Sequence, residues 1–281
     1  MTEAGTLYLV STPIGNLGDT THRAVEVLRA SDAILAEDTR RTRVLLEHYE
    51  IEARRLKSFH KHNEAARTEE ASAALVAGRT VALVADSGTP LISDPGLRLV
   101  RAAIELGARV VPIPGPSATL AAVVASGLDP QPFTYYGFLP RTGRRRRELI
   151  AELARLRHTA VLFESPQRLA RTLEELAEQL GPERGVVVAR ELTKVHEEFV
   201  RGTLSELSEY YSGHKPQGEV VICLAAAPEA PVESSEDAAR QLARTLARDG
   251  ATSKEIVGAL RERHGLDRNR AYAIALEVTQ G

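Results

Sequence analysis

Cysteine is almost missing from this chain, and long apolar runs are missing altogether. The 281 residues contain a single cysteine, Cys223, inside the apolar run 220–225. One cysteine can form no internal disulfide and no cysteine-based zinc site. No apolar run approaches the roughly 20 residues of a membrane span, and the N-terminal residues lack the basic and apolar regions of a signal peptide. We therefore expect a soluble cytoplasmic protein in which Cys223 is a small buried hydrophobic residue.

A large charge excess of either sign is also missing. The chain has 36 lysine and arginine residues against 38 aspartate and glutamate residues, which gives a net charge of −2. A nucleic-acid-binding surface would therefore have to be local, because no global positive charge supplies it. The apolar fraction of 43% and the charged fraction of 26% are ordinary for a globular protein. The length allows one large or two medium-sized domains.

Two common nucleotide-binding motifs do not occur in the sequence. No G-x-G-x-x-G follows the first predicted strand, and no G-x-x-x-x-G-K-S/T occurs anywhere. Such glycine-rich loops hold the phosphates of dinucleotides and of ATP. The sequence therefore disfavours an ordinary dinucleotide site and a P-loop ATP site.

Strands and helices alternate in the first part of the chain. We predict strands at Thr6–Ser11, Ala33–Ala36, Leu56–Phe59, Val81–Ala85 and Arg109–Ile113. The predicted helices run from Thr20 or Thr21 to Ala30, over Thr39–Tyr49, from Asn63 to Ala77 and over Leu97–Leu106. Alternation of strands with helices of this length predicts a parallel, doubly wound sheet.

The pattern changes after about residue 130. An aromatic segment, Phe133–Phe138, and a very basic helix, Arg144–Arg157, precede strands at Ala160–Glu164, Gly185–Arg190, Glu198–Thr203 and Glu219–Ala225. The third of these strands follows the second too closely for a helical crossover, so we predict a hairpin within a mixed sheet. The expected fold class is α/β, with lobes at 1–117 and 118–227, a linker at 228–235 and a helix-turn-helix-like domain at 236–281. Ser253 is the predicted N-cap of a helix at Lys254–His264.

Three polar turns rich in glycine and proline follow predicted strands, at 13–19, 86–96 and 112–118. Open α/β sheets bind ligands at the carboxyl ends of their strands, so we expect a pocket between these turns. Asp86 and Asp94 suit a ligand with an ammonium or sulfonium charge better than a polyphosphate. Ser117 is predicted to cap a helix whose free N–H groups favour a carboxylate. Gly88 and Gly96 would let the backbone approach the ligand closely.

Short motifs that occur in order over residues 5–225 carry a resemblance to a known family. They are Leu7–Leu17, Ala36–Arg40, Phe59–Glu64, the turns 86–96 and 112–118, Gly137–Pro140, Phe163–Pro166, and Arg190–Lys194 followed by Glu197. Together they resemble the ribosomal RNA small-subunit methyltransferase I group, which belongs to the tetrapyrrole-methylase-like (class III) enzymes that use S-adenosylmethionine (AdoMet). The resemblance implies two α/β lobes with AdoMet in the cleft between them, a homodimer, and 2′-O-methylation of a cytidine ribose in the decoding region of 16S ribosomal RNA (rRNA).

The resemblance and the three turns together give the candidate AdoMet-binding residues. They are Pro13, Gly15, Asp86, Ser87, Gly88, Ile92, Asp94, Pro114, Gly115, Ser117, Ala118, Phe163 and Glu164. The turns 86–96 and 112–118 are expected to hold the methionine end of AdoMet, with the methyl group facing an RNA ribose near Lys194. Methyl transfer from a sulfonium requires no metal in principle, and none is expected.

Four residues are the main candidates for the catalytic site: Lys194, Glu191, Asp38 and His60. Glu37 and Glu197 are further candidates for the same role. A ribose hydroxyl is a weak acid, so a nearby base or hydrogen-bond acceptor should help its attack. Burial could lower the pKa of Lys194 enough to make it a base, whereas as a cation it could hold an RNA phosphate. A surface ion pair is the structural alternative. Asp38 could instead cap the helix that begins near Thr39, and His60 could be a hydrogen-bonded structural histidine.

The most basic stretch of the chain is the candidate RNA-binding surface. It contains Arg141, Arg144, Arg145, Arg146 and Arg147 and follows Tyr135, whose ring could stack on an unpaired base. A solvated helix face is the alternative. Basic residues near the turn between the last two helices are compatible with a second nucleic-acid contact, and equally with packing or dimer support.

Two other functions fit parts of the sequence. A methyltransferase of the same superfamily could act on a tetrapyrrole, another small molecule or a modified protein side chain. A non-enzymatic RNA-binding module could use the cleft only to sense a ligand. The basic stretch and the terminal helices argue against the first function, and the polar candidates in the cleft argue against the second.

Overall fold

The first lobe is built on a parallel sheet. The computed structural model describes residues 4–52, 55–228 and 235–279. The first-lobe strands are β1 (Thr6–Val10), β2 (Ala33–Ala36), β3 (Leu56–Ser58), β4 (Thr80–Val84) and β5 (Arg109–Ile113), and the helices are α1 (His22–Ala30), α2 (Thr39–His48), α3 (Glu64–Val76) and α4 (Leu97–Glu105). The strand order is β3-β2-β4-β1-β5, and all neighbours are parallel. This confirms the doubly wound sheet.

The apolar pattern of the strands explains this arrangement. The central strand β4 buries Val81, Ala82, Leu83 and Val84, as expected for a strand that is covered on both faces. Ala82 and Val84 join one apolar cluster, whereas Val81 and Leu83 join another. Both faces of the sheet are therefore packed in apolar clusters. The polar turns follow the carboxyl ends of β1, β4 and β5.

The second lobe contains a mixed sheet. Its elements are α5 (Ala118–Ser126), β6 (Phe133–Phe138), α6 (Arg144–Arg155), β7 (Thr159–Glu164), α7 (Leu169–Leu180), β8 (Gly185–Arg190), β9 (Glu198–Thr203), α8 (Leu204–Gly213) and β10 (Val220–Leu224). The strand order is β6-β7-β10-β8-β9. Strands β6 and β7 are parallel and the other neighbours are antiparallel, so the predicted hairpin and mixed sheet are confirmed. Cys223 is fully buried in β10, and burial raises the pKa of its thiol to about 12.

Three helices form a separate unit at the C-terminal end. The chain divides into two compact units, Met1–Ala227 and Pro228–Gly281. The second unit contains α9 (Ser235–Arg248), α10 (Ser253–His264) and α11 (Arg268–Thr279) around an apolar cluster of its own. Of the linker that we predicted at 228–235, residues 229–234 lie outside the described residues. No helix in the described part of the chain is both long enough and apolar enough to span a membrane.

The N-cap of α10 differs from the prediction by one residue. Thr252, not Ser253, occupies this position, and its hydroxyl accepts a hydrogen bond from the backbone N–H of Glu255. The Glu255 carboxylate accepts in turn from the backbone N–H of Thr252 at 2.8 Å. Because this capping box satisfies two backbone donors at once, Ser253 becomes the first helical residue.

Arg184 is a buried cation in the second lobe that is held by backbone carbonyl groups. Only 5% of the residue is exposed. Its guanidinium donates to the carbonyl oxygen atoms of Leu153, Ala225 and Leu156 at 2.6, 2.9 and 3.5 Å. Leu153 and Leu156 are at the end of α6, and their carbonyl oxygen atoms also accept from the backbone N–H groups of Leu156 and Ala227, at 3.2 and 2.7 Å. Burial lowers the pKa of Arg184 to about 10.

Replacement of Arg184 by leucine is expected to destabilise the fold by about 2–3 kcal/mol, because it removes three hydrogen bonds from a buried charged group to backbone carbonyl oxygen atoms. Urea denaturation measures this as a lower midpoint at an unchanged slope. Arg145→Leu, at an exposed position on α6, is the control and should stay within about 0.5 kcal/mol of the wild type. Equal midpoints for the two variants would contradict the role of Arg184.

Candidate active site

The turns after β1, β4 and β5 meet at one edge of the parallel sheet. Thr12 and Gly88 exchange two backbone hydrogen bonds with N···O distances of 2.9 and 3.0 Å. The hydroxyl of Thr12 also donates to the carbonyl oxygen of Ala85 at 3.1 Å. The turn after β5 closes on the first turn so tightly that a Cβ atom on Gly115 would lie 2.9 Å from the Cβ atom of Ser11. The expectation that the three turns share one edge is confirmed.

A cleft of about 440 Å³ opens between these turns and the second lobe, a size typical of small-molecule sites. Nine of the predicted AdoMet-binding residues line it, namely Asp86, Ser87, Gly88, Ile92, Asp94, Ser117, Ala118, Phe163 and Glu164. Its lining also includes Glu37, Arg41, Thr119, Phe138 and Glu219, which were not among those candidates. The cleft is therefore made by both lobes.

Carboxyl groups gather on the first-lobe side of the cleft. Asp94 and Glu37 are joined by a side-chain hydrogen bond, and the charge of Asp86 is near them. Burial raises the pKa of Asp94 to about 7, and the charge and hydrogen bond of Glu37 act in the same direction. Asp86 also accepts from the backbone N–H of Asp38 at 2.6 Å. A cationic ligand would relieve the repulsion within this group.

The N-terminus of α5 supplies polar groups of the opposite character. Ser117 is the N-cap, and its hydroxyl accepts from the backbone N–H of Leu120 at 3.4 Å. Thr119 lines the cleft and is only 6% exposed, yet its hydroxyl has no hydrogen-bond partner within the described residues. Buried hydroxyl groups are normally paired. The Thr119 hydroxyl is therefore an unpaired buried group beside the cleft, and the sequence pattern did not single it out.

Aromatic residues form the second-lobe wall. Phe163 lines the cleft, and its ring makes edge-to-face contacts with Tyr135 at 5.0 Å and Phe138 at 5.6 Å between centroids. The hydroxyl groups of Tyr135 and Ser93 are 2.7 Å apart, so Tyr135 supports the wall. Phe138 is 55% exposed and lines the cleft, so it, and not Tyr135, is the aromatic side chain that a base could reach.

Lys194 lies beside the cleft in a network of carboxylates. Its Nζ donates to Glu191 Oε1 at 2.8 Å and to Glu219 Oε2 at 3.3 Å. Burial lowers the pKa of Lys194, but the hydrogen bonds and charges of Glu191 and Glu219 outweigh this, and the pKa lies above its usual value. The aliphatic part of Lys194 packs against Gly15, where a Cβ atom would lie 2.4 Å from the Lys194 Cγ atom.

Unusual backbone geometry is concentrated in two loops around the cleft. Among the described residues, five non-glycine residues have positive φ values, and four of them are Leu91, Ser93, Glu191 and Thr193, with φ of 72°, 75°, 52° and 67°. This conformation costs roughly 1–3 kcal/mol for each residue and is typical of functional sites. The loop that carries Lys194 and the turn that carries Asp94 are thus both held in uncommon conformations.

Comparison with known proteins places this chain within one family. The sequence model described as Tetrapyrrole (Corrin/Porphyrin) Methylases matches residues 6–208. The chain is 46% identical over 275 residues to "Ribosomal RNA small subunit methyltransferase I" of Synechocystis sp., with 98% of each chain covered. It is 42% identical over 275 residues to the protein of the same name from Escherichia coli O157:H7, with 97% of this chain and 95% of that chain covered.

The chain belongs to the ribosomal RNA small subunit methyltransferase I family. Its fold is that of the tetrapyrrole methylases. The structure of uroporphyrin-III C-methyltransferase from Thermus thermophilus, complexed with S-adenosylhomocysteine, is similar with a TM-score of 0.57 at 18% identity, over 79% of this chain and 97% of that chain. At this level of identity, the similarity concerns the fold alone.

Several residues that were predicted to contact the cofactor do not line the cleft. Pro13, Gly15, Pro114 and Gly115 are absent from its lining and instead shape the turns behind it, as the contacts of Gly15 with Lys194 and of Gly115 with Ser11 show. Gly96 was wrongly expected beside the ligand. It is the N-cap of α4, where a Cβ atom would lie 2.7 Å from the Leu83 side chain.

Asp38 and His60 are not placed as bases. The side chain and backbone of Arg40 donate hydrogen bonds to Asp38, which caps α2 and has its pKa lowered to about 2. His60 follows the edge strand β3 and is absent from the cleft lining. Its Nδ1 atom is buried without a partner in the described residues. Its ring lies 5.9 Å from that of His62, and no cluster of metal-ligating side chains occurs in the described part of the chain.

One further predicted contact is corrected by burial. Arg146 is 7% exposed and donates to Glu175 Oε2 at 2.6 Å and to the Pro140 carbonyl oxygen at 2.9 Å, so it fixes α6 to α7 and does not face RNA. Glu164 lines the cleft, as predicted, and its carboxylate accepts from the hydroxyl of Thr172 and from the N–H of Ser165, both at 2.8 Å. The remaining basic candidates, Arg141, Arg144, Arg145 and Arg147, are exposed.

Proposed function

We propose that this protein transfers the methyl group of AdoMet to the 2′-oxygen of a cytidine ribose in the decoding region of 16S rRNA, in the cytoplasm. The observation that carries the proposal is family membership combined with the charges around the cleft. Carboxyl groups lie on one side of the cleft, and the exposed basic start of α6 is near the other side. The relatives are named for ribosomal RNA of the small subunit. RNA binding depends on local positive charge, which α6 offers.

The residues of the cleft fit AdoMet. The carboxyl groups of Glu37, Asp86 and Asp94 suit its positive charges, and the start of α5 with the unpartnered Thr119 hydroxyl suits its carboxylate or another polar group. The similar structure of uroporphyrin-III C-methyltransferase contains S-adenosylhomocysteine, the demethylated form of this cofactor. When bound, AdoMet supplies a methyl group that its sulfonium sulfur has already activated.

The protein's own contribution is to position the ribose hydroxyl and to stabilise its developing negative charge. Since the pKa of Lys194 is raised, Lys194 is a cation and does not accept the proton. We assign to it the stabilisation of negative charge on the ribose oxygen or on the adjacent phosphate. Glu219, which lines the cleft and whose carboxylate contacts Lys194, is the acceptor best placed for the hydroxyl proton.

Glu191 has a positioning role in this scheme. Its carboxylate accepts from Lys194 Nζ and, at 3.1 Å, from the backbone N–H of Glu219. The hydrogen bond of Lys194 is the main reason why the pKa of Glu191 is lowered. Gly218 leaves room for this contact, because a Cβ atom there would lie 2.0 Å from Glu191 Oε1.

Deletion of the gene is expected to remove one ribose methylation from 16S rRNA, at a cytidine of the decoding region. Mass spectrometry of nuclease fragments of the rRNA measures this, and re-expression of the wild-type protein should restore the methyl group. Persistence of every ribose methylation in the deletion strain would refute the proposal. Labelled AdoMet offered with a tetrapyrrole to the purified protein tests the alternative substrate class, for which no transfer is expected.

The proposal includes a homodimer. Leu120 and Val124 on α5 are 53% and 76% exposed, and both lie on one face of an otherwise apolar helix. An exposed apolar face of this kind is typical of a protein interface. Light scattering at micromolar concentration should give twice the mass of 30.5 kDa.

A further inference from the structure

A second groove, of about 880 Å³, runs between α6 and α7. Ser165 lines both this groove and the cleft. The chain segment from Phe138 to Arg141 also leads from one to the other, since Phe138 at the end of β6 lines the cleft and Arg141 lines the groove. A polymer whose target residue occupies the cleft would therefore have its neighbouring residues beside this groove.

The groove contains three cations that the protein does not use. Of its five arginine residues, Arg146 is bound to Glu175, and Arg168 donates to the Leu139 carbonyl oxygen at 2.9 Å. Arg141, Arg147 and Arg171 are exposed. Within the described residues, the guanidinium groups of these three form no hydrogen bond or ion pair. They are therefore free to bind an anion without breaking an existing contact.

The starts of two helices add to the positive potential. Gly143 and Arg168 are the N-caps of α6 and α7; both line the groove, and neither provides a side-chain cap. Unpaired N–H groups and the positive end of the helix dipole attract anions at such positions. This reinforces the charge of Arg141, Arg147 and Arg171.

The acidic residues of the groove lie farther along α7. Glu174, Glu175 and Glu178 line it, and they follow Arg171 by one or two helical turns. Glu175 is neutralised by Arg146, whereas the other two would repel a phosphate. The anion-binding part of the groove is therefore its end at Ser165, which is the end that adjoins the cleft.

We propose that Arg171, together with Arg141 and Arg147, binds backbone phosphates of the RNA strand whose ribose enters the cleft. This inference rests on the proposed function and adds α7 to the RNA-binding surface, for which the sequence offered the arginine residues of Arg141–Arg147 but none on α7. It also divides that stretch: Arg141 and Arg147 face the groove, whereas Arg144 and Arg145 are absent from its lining, and Arg144 is paired with Glu148 at 2.6 Å.

The test compares Arg171→Gln with Arg145→Gln, an exposed arginine outside the groove, and with Glu174→Gln, which removes the opposite charge inside it. Binding to unmethylated 16S rRNA from a deletion strain is measured over a range of salt concentrations. Arg171→Gln should raise Kd about threefold to tenfold and lower the salt slope by about 0.7, the value for one phosphate of a single strand. Arg145→Gln should change Kd less than twofold, and Glu174→Gln should lower Kd.

The proposal is overturned if Arg171→Gln and Arg145→Gln have the same Kd and salt slope, or if Glu174→Gln weakens binding as much as Arg171→Gln does. AdoMet binding, measured by calorimetry, should be unchanged in all three variants, which shows that the site in the cleft is intact. The failure of the proposed function looks different. In that case the wild-type protein does not methylate the rRNA, whatever the order of the Kd values.

Discussion

The Asp94→Asn variant is expected to bind AdoMet about 10- to 100-fold more weakly than the wild type. The reason is the loss of a charge-assisted interaction in a partly closed cleft, which is worth roughly 1.5–3 kcal/mol. Isothermal titration calorimetry at pH 8 measures this effect. Ser93→Ala changes the same turn without changing its charge, and its AdoMet affinity should stay within about threefold of the wild type.

The wild type should also bind AdoMet more weakly as the pH falls from 8 to 6. Asp94 has a pKa of about 7, so it becomes protonated over this range and loses its attraction for a cation. The affinity should fall by up to about tenfold, following the ionised fraction. Asp94→Asn should show no such dependence. A flat profile in the wild type would mean that Asp94 does not contact the positive charge of the cofactor.

The same substitution should stabilise the free protein at pH 8. The pKa of Asp94 is raised from 3.8 to about 7 in the fold. At pH values between these two, the folded state therefore holds a proton that the unfolded state has lost. Stability contributed by this carboxyl is therefore present at low pH and lost as the pH rises to 7. The Asp94→Asn variant avoids that loss, and we expect a gain of about 1–2 kcal/mol at pH 8 that shrinks toward pH 5. Urea denaturation at both pH values measures it.

The Lys194→Met variant is expected to retain AdoMet binding within twofold and to lose about 10²- to 10³-fold in the rate of methyl transfer. This is the usual effect of removing one preorganised charge from an active site. Single-turnover transfer to 16S rRNA measures the rate. Val195→Ala, at a neighbouring side chain that is 96% exposed, should transfer at the wild-type rate. Unchanged transfer by Lys194→Met would remove Lys194 from the mechanism.

The pH profile of the transfer rate separates a cationic role of Lys194 from a role as a base. A base with a lowered pKa would make the rate rise with pH as it loses its proton, whereas the raised pKa predicts no contribution of Lys194 to the pH profile between 7 and 9. Gly15→Ala should also slow transfer, because the added methyl group displaces the aliphatic part of Lys194 without removing its charge.

The order of strands and helices was predictable from the sequence because each element has a clear apolar period and a clear end. The predicted bounds of β2, β5 and β9 agree with the structure to the residue. The errors arise where two residues compete for one role. Thr252 and Ser253 both suit an N-cap, and only the reciprocal bond with Glu255 decides between them.

The candidate site was predictable only as far as it depends on turns. Asp86, Asp94 and Ser117 were found because they follow strands in polar turns. Thr119 and Glu219 were missed because their surroundings come from both lobes, and no local pattern marks a hydroxyl as unpartnered or a carboxylate as facing a cleft. Arg146 shows the converse: it stands in the most basic run of the chain, yet Glu175, 29 residues away, buries it.

The position of β10 in the second sheet has a consequence for biosynthesis. This strand is the last of the lobe to be translated, yet it lies between β7 and β8, and it is preceded directly by Glu219 of the cleft. At about 5–20 residues per second, the 34 residues from Arg190 to Leu224 take roughly 2–7 s to synthesise. During that interval β7 and β8 each present an unpaired edge to the cell. The nascent enzyme therefore passes through an aggregation-prone stage after its first lobe is complete, and the lining of its cleft is complete only when β10 is inserted.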